Sequence, residues 1–320
     1  MGARIEAVAT SLGGRFPFTS GALRLSDAAA SSCLERAGRP AEDLDLLVNA
    51  GLYKDGNLAE PALASIIQED LGANPGHPPI PEHHGTFSFD VMNGGCGFLS
   101  AAHLVDGFVR SGTARYGLVV AADADPAPRQ TPSFPFPPVG GAALFGPCEA
   151  EEGFDRFEFR TFPEDIGLFE ARVAFDASSH GLLGRRGRSV LTIHEDPKFP
   201  LRCVEHATTV VSRFLDAARL APGDVDLLIA SQHPPAFGAD LARAVRIPLE
   251  RVPVVQGGLA GAHTAGPIAA LEAAMASGRF AAAKRVLFVS AGAGITIAAA
   301  LYRTSPPAAR SGPAGATDVS

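Results

Sequence analysis

Residues 89–112 read FDVMNGGCGFLSAAHLVDGFVRSG: a strand-like run ends at Asn93, two glycines follow, and Cys96 opens an amphipathic helical pattern. Glycines permit a tight turn and the close approach of another group. A thiol in the first turn of a helix meets unpaired N–H groups and the positive end of the helix dipole. That setting predicts a lowered thiol pKa and a nucleophile. The same N–H groups can hold a developing oxyanion. The competing reading of Cys96 is a small buried residue that packs a helix start. Cys33 lies among apolar helical neighbours and reads as core, while Cys148 and Cys203 have no comparable setting. A thiol nucleophile needs a proton acceptor. Of nine histidines, His233 closes the strand-like run DVDLLIASQH. The C-terminal end of a strand is where α/β proteins build their sites, although a loop histidine at the surface reads the same way.

Strand-like and helical runs alternate along the chain, the pattern of an α/β layered fold. RIEAVATSL, DLDLLVNAGL, TFSFDVMN and YGLVVAADA read as strands. SDAAASSCLERAG reads as a helix with Ser26 at its N-cap and a stop at Gly38; PALASIIQEDLG reads as a helix stopped by Gly72. Two units recur in order: RPAEDLDLLVNAGL (39–52) resembles LAPGDVDLLIASQH (220–233), and VRSGTARYGLVVAADA (109–124) resembles MASGRFAAAKRVLFVSAGAG (275–294). The repeats predict two related halves: residues 1–165 carrying Cys96, and 166–304 carrying His233. The Pro-dense stretch 126–138 reads as an ordered loop or lid. The small, Pro-rich segment 305–320 reads as a disordered tail.

Hydrophobic residues make up 46% of the 320-residue chain and charged residues 19%, which predicts a packed globular protein. A net charge of −7 argues against nucleic acid as a partner. No long apolar run predicts a membrane span or a signal peptide, so a cytoplasmic protein with four free thiols is expected. No cysteine or histidine spacing fits a structural zinc site. HPPIPEHHG (77–85) and TIHEDP (192–197) gather histidine and acid without paired spacing, so no metal is expected.

The nucleophile segment, the strand YGLVVAADA and the duplication resemble the thiolase superfamily, most closely ketoacyl-acyl-carrier-protein synthase III and its relatives. The resemblance spans roughly residues 1–303. It implies a five-layer α-β-α-β-α fold from two duplicated halves, with Cys96 as the acyl-accepting nucleophile and His233 as the second catalytic residue. The Gly-rich segment VLFVSAGAGITIAAALYR (286–303) would pair the backbone N–H of Gly294 with that of Cys96 as an oxyanion hole. The third family residue is an asparagine, and its position falls on Gly261, with His263 and Thr264 the nearest polar side chains. His263 is the candidate replacement donor, and a residue that packs or caps the following helix is the alternative.

The stretch between the first strand and first helix is shorter than in the family, which disfavours a coenzyme A adenine clamp and leaves a carrier protein as possible donor. Near PPVGGAALFG, Phe134 and Phe136 are expected to line a rebuilt acyl pocket with Gly261, or simply to cover the core. The expected activity is an acyltransferase. It forms acyl-Cys96 from a coenzyme A or carrier-protein thioester and needs no cofactor. It passes the acyl group to a carbon nucleophile, or to a hydroxyl or amine, in a specialised polyketide or fatty-acid-like pathway. A homodimer, or a heterodimer with a related chain, is expected through the TFSFD strand. A non-catalytic helper subunit and an acyl-thioester hydrolase are the competing readings.

Overall fold

A computed structural model describes residues 2–14, 21–74, 85–127, 134–148, 152–176, 180–181, 184–185 and 188–304. The tail 305–320 and most of HPPIPEHHG lie outside these residues, as do 128–133 of the Pro-dense loop.

The first half runs β1 (Ala3–Leu12), α1 (Ala22–Ala37), β2 (Leu46–Asn49), α2 (Leu63–Leu71), β3 (Phe87–Asp90), α3 (Gly97–Arg110), β4 (Gly117–Asp123) and β5 (Val139–Pro147). The chain continues through β6 (Gly153–Thr161), β7 (Phe169–Asp176), the short β8 (His180–Gly181) and β9 (Gly184–Arg185), and β10 (Arg188–Glu195). It ends with α4 (Phe199–Ala217), β11 (Leu227–Ala230), α5 (Phe237–Val245), α6 (Gly266–Ala276), α7 (Arg279–Ala282), β12 (Arg285–Gly292) and β13 (Thr296–Arg303).

Two sheets share one plan. Their strand orders are β1-β5-β4-β2-β3 and β6-β13-β12-β11. In each, the repeated strands pair in parallel, β2 with β4 and β11 with β12; β5 and β1 follow antiparallel in the first sheet and β13 and β6 in the second, while edge strand β3 runs parallel to β2. The Asp-x-Asp-Leu-Leu repeat has a physical cause. Asp45 accepts hydrogen bonds from the backbone N–H groups of Arg115 and Tyr116, and Asp226 from those of Lys284 and Arg285. Each aspartate thus ties the start of one strand to its parallel neighbour. By pairing, β6 belongs with the second sheet, so that unit opens at Gly153, ahead of the boundary expected at 166.

Both sheets are covered on both faces, which explains strands buried along their whole length. Alternate residues serve two cores. Leu47, Leu118 and Val120 pack on α1 and α2, whereas Leu46, Val48 and Val119 face α3 and α6 in the centre. Leu228, Leu287 and Val289 pack on α4 and α5, whereas Leu227, Ile229 and Phe288 face the centre. The five layers are α1/α2, sheet, α3/α6, sheet and α4/α5. Helix α1 begins four residues before Ser26, which is buried inside it. The terminal N–H groups of Ala22 and Leu23 are capped by the distant Asp55 carboxylate, a partner that local spacing could not show. Gly38 and Gly72 end α1 and α2 in the left-handed conformation, as expected.

Candidate active site

Cys96 stands at the N-terminus of the central α3, at the end of a short turn over Gly94–Cys96. That turn is wedged against the β12–β13 hairpin. A Cβ on Gly95 would lie 2.2 Å from the Ala291 carbonyl oxygen, so only glycine lets the segment seat. The thiol donates to the Thr296 carbonyl oxygen at 3.3 Å and is 3.6 Å from that of Ser290.

The sequence predicts a lowered thiol pKa, and the structure reverses that expectation. Cys96 is fully buried, and burial pushes its thiol up to about 12. Two carbonyl oxygens facing the sulfur also favour S–H over thiolate. Its own N–H, expected in the oxyanion hole, donates to the Asn93 carbonyl at 3.0 Å. Gly294 has φ +108°, in the hairpin turn, but the glycine whose α-carbon faces the sulfur is Gly292, where an added Cβ would come within 3.4 Å of Sγ.

The two histidines converge beside this segment, with ring centroids 6.0 Å apart. His263 is anchored by Asp123, at the C-terminal end of β4. One carboxylate oxygen accepts from His263 Nδ1 at 2.9 Å and from Thr264 N–H and O–H at 3.0 and 2.7 Å. The other accepts from the N–H groups of Leu52 and Tyr53 at 2.9 and 2.8 Å. Burial opposes ionisation of Asp123, but the His263 charge and these donors outweigh it and hold the carboxyl below its usual range. Assigning the ring proton from this network, Nδ1–H points at Asp123 and Nε2 is directed to the nucleophile segment, 3.9 Å from where a Gly94 Cβ would stand.

His233 has the opposite surroundings. Phe136 meets its ring edge-on at 5.0 Å, and Phe169 and Phe199 lie at 6.2 Å. Burial, reinforced by the His263 charge, pushes its pKa down to about 4, so the ring is neutral at pH 7. Its Nε2 comes within 3.0 Å of Glu195 Oε2 without hydrogen-bond alignment. Phe136 also stacks on His263 at 4.3 Å, and Phe134 packs edge-on against Phe136 and Tyr53. The expected lining residues therefore adjoin the histidines.

Gly261 stands apart. It adopts φ +78°, with open space where a side chain would be, and makes the turn that brings His263 to Asp123. Sequence reasoning did not single out Asp123 or Tyr53, and weighed Glu195 only as a metal ligand. Asp123 ends YGLVVAAD at a strand C-terminus, the same signal that marked His233. Among the described residues, no group of three or more histidine, cysteine or acidic side chains is arranged to hold a metal. No helix there is long and apolar enough to cross a membrane.

The profile of the 3-oxoacyl-[acyl-carrier-protein] synthase III C-terminal region matches residues 215–304. A beta-ketoacyl-[acyl-carrier-protein] synthase III from Sinorhizobium medicae is 31% identical over 292 residues, covering 87% of this chain and 83% of its own length. This chain belongs to the synthase III family. The Erythrobacter litoralis synthase III is 27% identical, over 91% of this chain and 86% of its own length. The fold agrees: synthase III from Aquifex aeolicus superposes with a TM-score of 0.73 at 21% identity, over 95% of this chain and all of that one. An OleA variant from Xanthomonas campestris superposes at 0.75 with 15% identity, over 95% and 99%. As a synthase III family member, the protein is an acyltransferase of the thiolase superfamily.

Proposed function

We propose that the protein forms an acyl-Cys96 thioester from an acyl thioester donor and passes the acyl group to an acceptor. The observation that carries this reading is the convergence of two differently tuned histidines beside a buried cysteine at a helix start. A thiol with so high a pKa reacts only when a base removes its proton in step with attack. His263 Nε2 is that base. Asp123 holds Nδ1–H in place and stabilises the imidazolium that forms, as a carboxylate does behind any catalytic imidazole. The protonated ring then presents Nε2–H to the acyl oxygen, as a donor near the place of the family asparagine. The hairpin turn that carries Gly294 supplies a backbone donor to the same oxyanion. Neutral His233 serves the second half-reaction, in which the acceptor attacks acyl-Cys96, and Phe134 and Phe136 line the path.

No cofactor is needed for these steps. The donor arrives on coenzyme A or a carrier protein. Edge strand β3, with Phe87 exposed, is the surface for a homodimer or a related partner chain. A specialised pathway in the cytoplasm fits the replacement of the family asparagine.

Intact-protein mass spectrometry after incubation with acetyl-coenzyme A, octanoyl-coenzyme A and their carrier-protein counterparts tests the reading. An acyl mass shift lost in Cys96→Ala is expected. No shift with any donor refutes it and favours the helper-subunit reading.

A further inference from the structure

The acceptor side of the site carries a group that the acylation half-reaction does not use. Glu195 ends β10 and places Oε2 3.0 Å from His233 Nε2. The aromatic wall of Phe136, Phe169 and Phe199 surrounds the imidazole. No lysine or arginine is among these contacts. Across Phe136 stands Tyr53, only 5% exposed, its ring stacked at 5.5 Å and its hydroxyl without a hydrogen-bond partner. Burial and the Asp123 charge keep that phenol protonated, so it is a donor awaiting an acceptor atom.

This arrangement bears on which nucleophile can enter. A malonyl carboxylate would meet the Glu195 carboxylate beside aromatic walls, where among the described residues His263 is the one group whose charge favours the Glu195 carboxylate, and like charges resist that juxtaposition. A neutral O–H or N–H group meets the reverse: a carboxylate to take its proton and, for a hydroxyl, a phenol to hold the lone pair that does not attack. Resting on the acyl-Cys96 reading, we propose that Glu195, with His233, is a general base for an uncharged alcohol or amine acceptor, so that the protein makes esters or amides by acyl transfer to oxygen or nitrogen.

The step balances without a further reactant. The acceptor oxygen or nitrogen bonds to the acyl carbonyl carbon as the C–S bond to Cys96 breaks. The acceptor proton passes to Glu195 and, once the His233 ring turns into hydrogen-bond alignment with that carboxylate, through the imidazole to the departing thiolate. Ester or amide leaves, and Cys96 is again a thiol.

The test uses enzyme preloaded with an octanoyl group on Cys96 and follows discharge by mass spectrometry. Methanol, ethylamine and malonyl-coenzyme A are the acceptors, with buffer as the control. Both probes are small, adding only one carbon to the hydroxyl and two to the amine. Methanol or ethylamine should speed discharge in proportion to concentration and yield methyl octanoate or N-ethyloctanamide. Glu195→Gln should load normally yet discharge about a hundredfold more slowly, the usual size of a lost general base. Tyr53→Phe should raise the acceptor concentration needed, with loading unchanged. Three results overturn the proposal: discharge by malonyl-coenzyme A with release of carbon dioxide, discharge in buffer that no acceptor accelerates, or a Glu195→Gln enzyme that transfers at the wild-type rate. A failure to load octanoate at all is a different result and sinks the acyl-Cys96 reading itself.

Discussion

Replacing Asp123 with asparagine separates positioning from bulk, because the amide keeps the shape and loses the charge. Five hydrogen bonds end on this carboxylate, two on one oxygen and three on the other. An amide has one oxygen and one NH2 group, so one side must face the wrong partner. Turning the NH2 toward Leu52 and Tyr53 would set it against two backbone N–H groups that cannot adapt. Turning it toward His263 and Thr264 is better: the Thr264 hydroxyl can rotate to accept, and His263 can switch tautomer and accept at Nδ1. The Thr264 N–H is then orphaned, and so is the Thr264 hydroxyl hydrogen that had donated to Asp123. Each buried donor without a partner costs about 1–3 kcal/mol, and together they lower the melting temperature of a protein of this size by several degrees or more.

The switched tautomer places a proton on His263 Nε2 and removes the base that Cys96 requires. Acylation by octanoyl-coenzyme A should therefore fall by about two orders of magnitude or more, far beyond what the modest loss of stability explains at 25 °C. Differential scanning calorimetry and single-turnover acylation by mass spectrometry read the two effects separately. Thr264→Val, which removes one donor and leaves the tautomer intact, should cost stability with little loss of acylation. An Asp123→Asn enzyme that acylates at the wild-type rate would refute the reasoning.

Two further outcomes are expected from the electrostatics. Since the Cys96 thiol titrates near 12, alkylation of the free enzyme by iodoacetamide should climb steadily from pH 7 to 10; a plateau below pH 8 would show that the helix dipole outweighs burial. His233 binds its proton less readily folded, near 4, than unfolded, near the reference 6.5. Its contribution to stability is thus complete above about pH 6.5 and lost as pH falls toward 4, by about 3 kcal/mol in all. Urea unfolding of His233→Phe should show a flatter dependence across that window, and an unchanged slope would count against a buried neutral imidazole.

Much of the architecture is local information. Strands covered on both faces must be apolar throughout, so DLLVNA, LVVAA and RVLFVSA stand out at sight. Gly38 and Gly72 end their helices because left-handed residues there favour glycine. The duplication was legible because both halves use an aspartate, Asp45 and Asp226, to tie one strand to its neighbour. Ser26 misled for the complementary reason: the cap of α1 comes from Asp55, far along the chain.

Residue types and their places at element ends were enough to single out Cys96 and His233, since reactive groups gather where strands and helices terminate, whereas His263 came only from the family resemblance, as the polar side chain nearest the position of the family asparagine. Their chemistry was not legible. Whether Cys96 rests as thiol or thiolate is a contest between the helix dipole and desolvation, and its outcome depends on the hairpin, about 200 residues further along the chain, that closes over the sulfur. His263 differs from His233 because Asp123 lies 140 residues from the first, while aromatic rings from three other segments enclose the second. Element type is written in short-range periodicity and so belongs to the sequence. Protonation depends on burial and on charges a few ångströms away, and folding alone brings those together.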